Sequence, residues 1–485
     1  FGMCSSSIEE WCDVRYDGAF NDVSGVTYGT GAGVIVGAFA GVLQNASVNG
    51  ITIDGERSMI LANALGDVSG SAIAGGFVGV IELGSHTYKE ISEPRAMIIK
   101  NITVYAESDY SVSSVINNSG ATQKDAINPD DYKTTSSAAI AGGILGIVNR
   151  GRKGSSALDS DINIVFSKVN FLRSGESSNN ATGKADDGRL FIKASTQDAE
   201  SSGAVFAGGV AGYIYGAGND YIVKEIHELE NVEYIFNCPV DITAEQNGVG
   251  PAYAGGVFGY NCFKIESDSD KVLKIGVVAP EYDYTVTATQ TAYSTKVGST
   301  YYNVCAGGYT SRFNIGYNVG VGEFYLGNGK ITAYREVGST AIGDVNAGGF
   351  AGRLLGVGSA AMTINAYDKI GNPTGTFKDL TMHFAGNSYV EAACYSFDSV
   401  NTTGSLGNNV CAGGVVGYVI GYESIENISL IFDGSINKAG ESTEYFVYGA
   451  QNASYTGGDG DLKTEGFVGG MFGLVIDTKI SNITL

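Results

Sequence analysis

The side chains able to do chemistry are few and far apart. The 485-residue chain holds three histidines, His86, His227 and His383, with no HExxH motif and no paired spacing. Neither a His-based metal site nor a Ser-His-Asp triad finds support in that pattern. His227 falls in Lys224-Glu225-Ile226-His227-Glu228, a charged stretch that reads as solvated. Seven cysteines, Cys4, Cys12, Cys238, Cys262, Cys305, Cys394 and Cys411, are dispersed without a CxxC pair, which leaves a zinc or thioredoxin-like site without ligands. Cys4 and Cys12 are close enough in sequence to form a disulfide at an end that needs tying down. The other five suit small buried apolar positions or further pairing, and an odd count leaves at least one unpaired or joined to another chain.

Carboxylates are the remaining candidates, because β-helical polysaccharide lyases and hydrolases work with acidic and basic side chains along one groove. Clusters stand at Asp130-Asp131, Asp159 and Asp161, Asp186-Asp187, Asp268 and Asp270, and Asp459 and Asp461. Alternate Asp residues in a Gly/Ser loop can hold calcium through oxygen ligands. None recurs at a fixed place from repeat to repeat, as calcium-binding aspartates of RTX-type arrays do, so they read as acidic loops that keep the protein soluble. The expectation is no catalytic residue and no cofactor, with calcium left open. The 29 Lys and Arg face 51 Asp and Glu, a formal charge of −22, which excludes a nucleic-acid binder held by phosphate contacts. A 44% hydrophobic content argues against disorder. The longest apolar run, 31–43, falls short of the roughly 20 residues a membrane span needs. The start, Phe1-Gly2-Met3-Cys4, lacks the basic and apolar regions of a signal peptide and reads as a processed or excised segment.

The elements that would position any site come from an internal repeat. Ala74-Gly75-Gly76-Phe77-Val78-Gly79-Val80 returns as Ala141-Gly142-Gly143-Ile144-Leu145-Gly146-Ile147 and, in the same form, at Ala207, Ala254, Ala347, Ala412 and Val468. Two copies are degenerate, with Ala38 at the second glycine position and Ser311 at the third. The glycine segments contain no GxxxxGK[ST] phosphate loop and read as turns. An alternating strand with a central Asn follows several copies, as in Ile98-Ile99-Lys100-Asn101-Ile102-Thr103-Val104, Ile425-Glu426-Asn427-Ile428-Ser429-Leu430 and Ile480-Ser481-Asn482-Ile483-Thr484-Leu485. Period-two alternation with β-branched residues marks a half-buried strand.

A fixed pattern recurring every few tens of residues predicts stacked units. The expected fold is all-β, a repeat β-solenoid (β-helix) with long inserted loops. Residues 1–30 read as an N-terminal cap or linker and 31–485 as about nine repeats. The glycine pairs are expected to supply positive φ at the corners. The residue after each pair, Phe39, Phe77, Ile144, Val210, Val257, Tyr309, Phe350, Val415 and Met471, is assigned with the third glycine to the interior. The opposite face carries an outer stripe, Val42, Val80, Ile147, Tyr213, Tyr260, Arg312, Arg353, Tyr418 and Leu474, with Ala40, Val78, Leu145, Ala211, Phe258, Thr310, Ala351, Val416 and Phe472 beside it. So much exposed apolar surface needs a cover, either the inserted loops or another chain.

At these residues the chain resembles the GLUG motif, a short glycine-rich repeat of microbial surface proteins. The likeness covers nine short stretches from about Gly37 to Leu485. Phe, Val, Ile, Tyr or Met replaces the usual Leu after the glycine pair, and the loops are longer than in compact arrays. The resemblance implies an extracellular or cell-surface setting and a role in adhesion or surface assembly, and it implies no catalytic residue. Of the N-glycosylation sequons, Asn45, Asn117, Asn180, Asn401 and Asn452 are the glycan candidates. Asn101, Asn427 and Asn482 share one strand position, where stacked amides forming a hydrogen-bonded ladder are expected instead. Three functions follow. The first is a structural or adhesive subunit of a surface filament, fibre or stalk, assembling head-to-tail with itself or with other surface-assembly proteins. The second is a carbohydrate-binding adhesin that uses loop tyrosines such as Tyr253, Tyr282, Tyr301 and Tyr302. The third and weakest is a polysaccharide-degrading β-helix enzyme.

Overall fold

A computed structural model describes residues 12–19, 34–44, 48–55, 58–65, 71–82, 96–106, 109–117, 138–149, 163–173, 189–197, 203–215, 232–248, 250–261, 273–277, 282–292, 303–313, 322–337, 343–356, 375–385, 388–396, 409–433, 446–452 and 466–485. Four strands make one coil, and nine coils stack into a parallel β-solenoid. The third coil shows the pattern, with strands Tyr110–Asn117, Ala138–Gly142, Leu145–Asn149 and Asn163–Arg173. Corresponding strands of successive coils pair in parallel, so four nine-stranded sheets run the length of the stack, numbered here in the order in which the chain meets them. At about 4.8 Å per coil the stack is roughly 40 Å tall. One glycine repeat makes one coil. The first sheet begins at Cys12–Ala19, paired from Cys12↔Ser58 to Ala19↔Leu65, so the solenoid starts inside the segment 1–30 expected to be a cap or linker.

Each glycine pair straddles the bend between the second and third sheets. In the third coil, Gly142 ends one strand, Gly143-Ile144 turns the corner and Leu145 opens the next. The torsional reason expected for the pairs is overturned. Positive φ occurs at Gly276, Gly327, Gly343, Gly375 and Gly421, none of them in a pair. Space is the reason. A Cβ on Gly142 would press on the Leu145 carbonyl oxygen and lie 2.6 Å from the Gly212 amide nitrogen of the next coil. One on Gly76 would strike the Gly143 carbonyl oxygen below it. The bends sit at the coil-to-coil spacing of a sheet, where Phe77 N donates to Ile144 O at 2.8 Å and Ile144 N to Val210 O at 3.0 Å. A methyl group at these points has nowhere to go.

The main core lies inside the coils and draws on all four sheets, as Ile60 and Ala62, Ala72 and Ala74, Val78 and Ile81, and Ile102 and Val104 illustrate. The residue after each glycine pair is buried here as expected, except Phe39 of the first coil, which is 67% exposed and stacks on Phe77 at 5.0 Å. The next residue also turns inward, which the alternation rule did not anticipate: Val78, Leu145, Ala211, Phe258, Ala351 and Val416 join the same core. Pairing then passes over the third glycine, from Leu145↔Ala211 directly to Ile147↔Tyr213. The third glycine does not face the core beside Phe77. A Cβ on Gly146 would lie 2.5 Å from Ile73 Cγ2, and one on Gly212 2.7 Å from Ile140 Cγ2, on the far side of the second sheet.

That far side is itself buried. The stripe expected to be an outer surface packs within the chain against the second-sheet column Ile73, Ile140, Phe206, Tyr253 and Cys305. Phe206 stacks on Tyr253 at 5.3 Å along its column and meets Tyr213 edge-on at 4.9 Å across the seam. Val80, Tyr213 and Tyr260 are fully buried there. Both faces of the second and third sheets are therefore covered, and such strands read as continuous apolar runs. This explains why Ala138-Ala139-Ile140-Ala141-Gly142 and its relatives show no alternation.

Candidate functional site

The seam between the second and third sheets changes character near its middle. In the second-sheet column, Cys305 is followed by Asn346 and Cys411, and the facing column carries Arg312, Arg353 and Tyr418. Arg353 was expected on the surface but is 3% exposed, and Asp344 beside it is 1% exposed. Arg353 Nη1 lies 3.6 Å from Asp344 Oδ2, and its guanidinium sits 4.7 Å above the Tyr418 ring. The other Asp344 oxygen accepts from the Asn409 amide at 3.2 Å, while the Asp344 amide donates to Asn303 Oδ1 at 2.9 Å. Arg312 reaches the Tyr253 hydroxyl at 3.4 Å and lies 5.5 Å from the Tyr260 ring. Asn346 Nδ2 approaches Cys305 Sγ at 3.5 Å. The fit is close but incomplete, because Asn346 Oδ1 and Arg353 Nε have no protein partner.

A second polar column lies inside the first sheet. Gln246, Gln290 and Arg335 occupy successive coils, each fully buried. Arg335 Nε donates to Gln290 Oε1 at 2.6 Å, and its Nη1 donates to the Gly343 carbonyl. Gln290 Nε2 donates to the Gly250 carbonyl at 2.7 Å. These side chains satisfy carbonyl groups where the chain leaves the first sheet for the second, a use for buried polar groups that needs no ligand.

Cys238, Cys305, Cys394 and Cys411 are buried thiols outside any disulfide, in agreement with small apolar positions. Burial pushes the Cys305, Cys394 and Cys411 thiols up, the last one strongly, so they stay protonated and poorly nucleophilic. Tyr253, considered as a sugar-stacking loop residue, is instead fully buried in the seam, and Tyr282 packs against the main core. Cys4, Cys262, Asn45, Asn180, Asn401, His86, His227, Tyr301, Tyr302 and all five aspartate clusters lie outside the described residues. Cys12, Asn117 and Asn452 lie on strands whose side chains at those points are likewise undescribed. Among the described residues no three His, Cys, Asp or Glu side chains converge, and no helix is long and apolar enough to cross a membrane.

The amide ladder is present over the last three coils. Asn482 Nδ2 donates to Asn427 Oδ1 at 2.9 Å, and Asn427 Nδ2 donates to Asp379 Oδ1 at 2.6 Å. All three residues adopt positive φ, between 53° and 56°, a conformation that Asn and Asp tolerate better than most residues. Asp379 was not anticipated, because it breaks the Asn pattern while keeping the geometry. Asn101 holds the corresponding place, but the flanking registers put Gly50 and Lys168 beside it in place of amides.

Among the described residues the outward positions of the first sheet are mostly half-buried, and over the last three coils they collect tyrosines that the repeat motif gave no reason to seek. The register places Tyr334 beside Ala393, Glu336 beside Tyr395, Glu391 beside Tyr448 and Ala393 beside Ala450. The Tyr334 and Tyr395 ring centroids are 5.6 Å apart. Tyr395 and Tyr448 hydrogen-bond through their hydroxyls, although the register sets them four residues apart along the strands. Ala393 faces outward between them and is nonetheless fully buried, so the aromatic side chains close over it. Partial burial, together with Tyr448 and Glu391, pushes the Tyr395 hydroxyl up.

Interior tyrosines make the fold sensitive to alkali. Burial raises Tyr234, Tyr284 and Tyr309 well above the usual tyrosine range, and pushes Tyr418 up to about 12 against the opposing effect of Arg353. The folded state thus holds protons that the unfolded chain releases near pH 10. Stability is expected to be level with respect to these groups below about pH 10 and to fall as pH rises through 12. Urea midpoints measured from pH 8 to 12, alongside tyrosinate absorbance, check this. Full tyrosinate absorbance at pH 11 from a chain still folded would contradict it.

Comparison with family models, with curated proteins and with solved structures returned no match.

Proposed function

We propose that the chain is an extracellular scaffold, a structural or adhesive subunit related to GLUG-type surface proteins, which stacks end to end into a cell-surface filament, fibre or stalk. The observation that carries this reading is the stack itself: nine coils repeat in register, and each bend amide donates to the following coil, as Val415 N does to Met471 O at 2.8 Å, so every coil presents the edge that its neighbour pairs with. Coil edges of this kind template further pairing. A head-to-tail contact that does not close into a ring generates a filament.

The same reading makes the protein a non-enzyme without a cofactor, whose partners are further copies, other surface-assembly proteins or glycans. Negative-stain electron microscopy of the purified chain is expected to show rods of variable length that lengthen with concentration. A monodisperse particle of one stack height at high concentration would overturn end-to-end assembly.

A further inference from the structure

We infer that the tyrosine cluster on the outer face of the first sheet is a binding platform for a neutral glycan. The inference deepens the adhesive reading by giving it a site and a ligand class. Three observations carry it. Tyr334, Tyr395 and Tyr448 gather over small residues, Ala393 and Ala450, on strands spaced at a fixed coil height. A parallel sheet with an alanine floor lets rings lie low, presenting π-faces and hydroxyls together, which suits the alternating C–H and O–H surface of a sugar ring. Tyr448, on the last strand of the first sheet, keeps 39% of its surface exposed, and Tyr334 and Tyr395 are half-buried, so the rings are reachable from solvent.

The chemistry around the rings selects the occupant. Glu391 pairs in register with Tyr448, and Glu336 with Tyr395, placing carboxylate acceptors beside the aromatic surface. Lys330, the cation on the adjoining strand, is 3.2 Å from Asp283. The outward positions of Tyr389–Ser396 and Val447–Asn452 bear no Lys or Arg. A sialylated, sulfated or uronate chain would meet like charge on a protein whose net charge is already −22. Neutral sugars carry no such penalty and keep the C–H faces that stack on tyrosine rings.

The test uses the chain as it stands, on a glycan array carrying neutral hexose and N-acetylhexosamine oligosaccharides alongside sialylated and sulfated ones. Tyr395→Ala, Tyr448→Ala and Tyr448→Phe are compared with the unchanged protein, each checked for an unaltered thermal midpoint. Binding to neutral oligosaccharides is expected, weakened about tenfold or more in both alanine variants and about threefold or less in Tyr448→Phe, which retains the ring. No glycan binding, preference for the anionic glycans, or equal binding by the alanine variants would each overturn the platform. Loss of self-association in the alanine variants without any glycan binding would also overturn it, by assigning the face to a second copy. Electron microscopy of the same variants separates the two ideas: rods that persist while glycan binding is absent leave the scaffold standing and remove only the platform.

Discussion

Gly256→Ala is expected to cost about 3 kcal/mol or more and to open the stack at the fifth coil. The added methyl would collide with the Tyr284 hydroxyl and with the Gly308 carbonyl oxygen. Those two groups already bond to each other at 2.9 Å, and the Gly256 amide is tied to Gly307 O at 3.0 Å, so relief in either direction breaks a hydrogen bond. Gly470→Ala is the matched control. It is the same member of the pair in the last coil, where a Cβ would meet nothing closer than Leu485 Cδ2 at 3.9 Å. Its cost should stay below about 0.5 kcal/mol. Denaturant midpoints of the two variants separate the explanations, since a torsional requirement would penalise both positions alike. Equal losses would show that space is not what the glycines provide.

Asp344→Ala is expected to cost about 3–5 kcal/mol, because it strands the Arg353 guanidinium in a seam that gives it little else to pair with. Arg353→Met alone strands the carboxylate and should be similarly costly. The double variant Asp344→Ala with Arg353→Met replaces the charged pair by apolar side chains, as Ala138 and Ile147 stand in the third coil, and should recover most of the loss. A thermodynamic cycle over the three variants measures this. An Asp344→Ala protein within about 1 kcal/mol of the parent would mean that the pair contributes nothing beyond filling space.

The glycine repeat made the coils legible, because in most coils it marks a bend where a side chain beyond hydrogen cannot fit. The reason assigned to it was wrong. Sequence shows where glycine recurs, and both torsion and crowding produce that signal. The number of strands per coil was hidden for a different reason. The inward positions of the first sheet range from Ala, Val and Ile to Gln246, Gln290 and Arg335, and its outward positions vary, so no motif repeats along it. The burial of Arg353 was hidden as well. A charged residue in an alternating strand points to solvent unless a partner is known, and Asp344 reaches it from just ahead of the strand Val345–Gly348. The tyrosine platform escaped notice because Tyr334, Tyr395 and Tyr448 belong to different coils, and only the register brings them together.

The repeats differ greatly in length, with 38 residues from Ala38 to Gly76 and 67 from Gly76 to Gly143, yet each contributes the same four rungs to the same four sheets. Height is therefore counted in bends and is indifferent to chain mass. A relative that doubled its insertions would grow only in girth, whereas one more crowded corner would lengthen the rod by a single strand spacing.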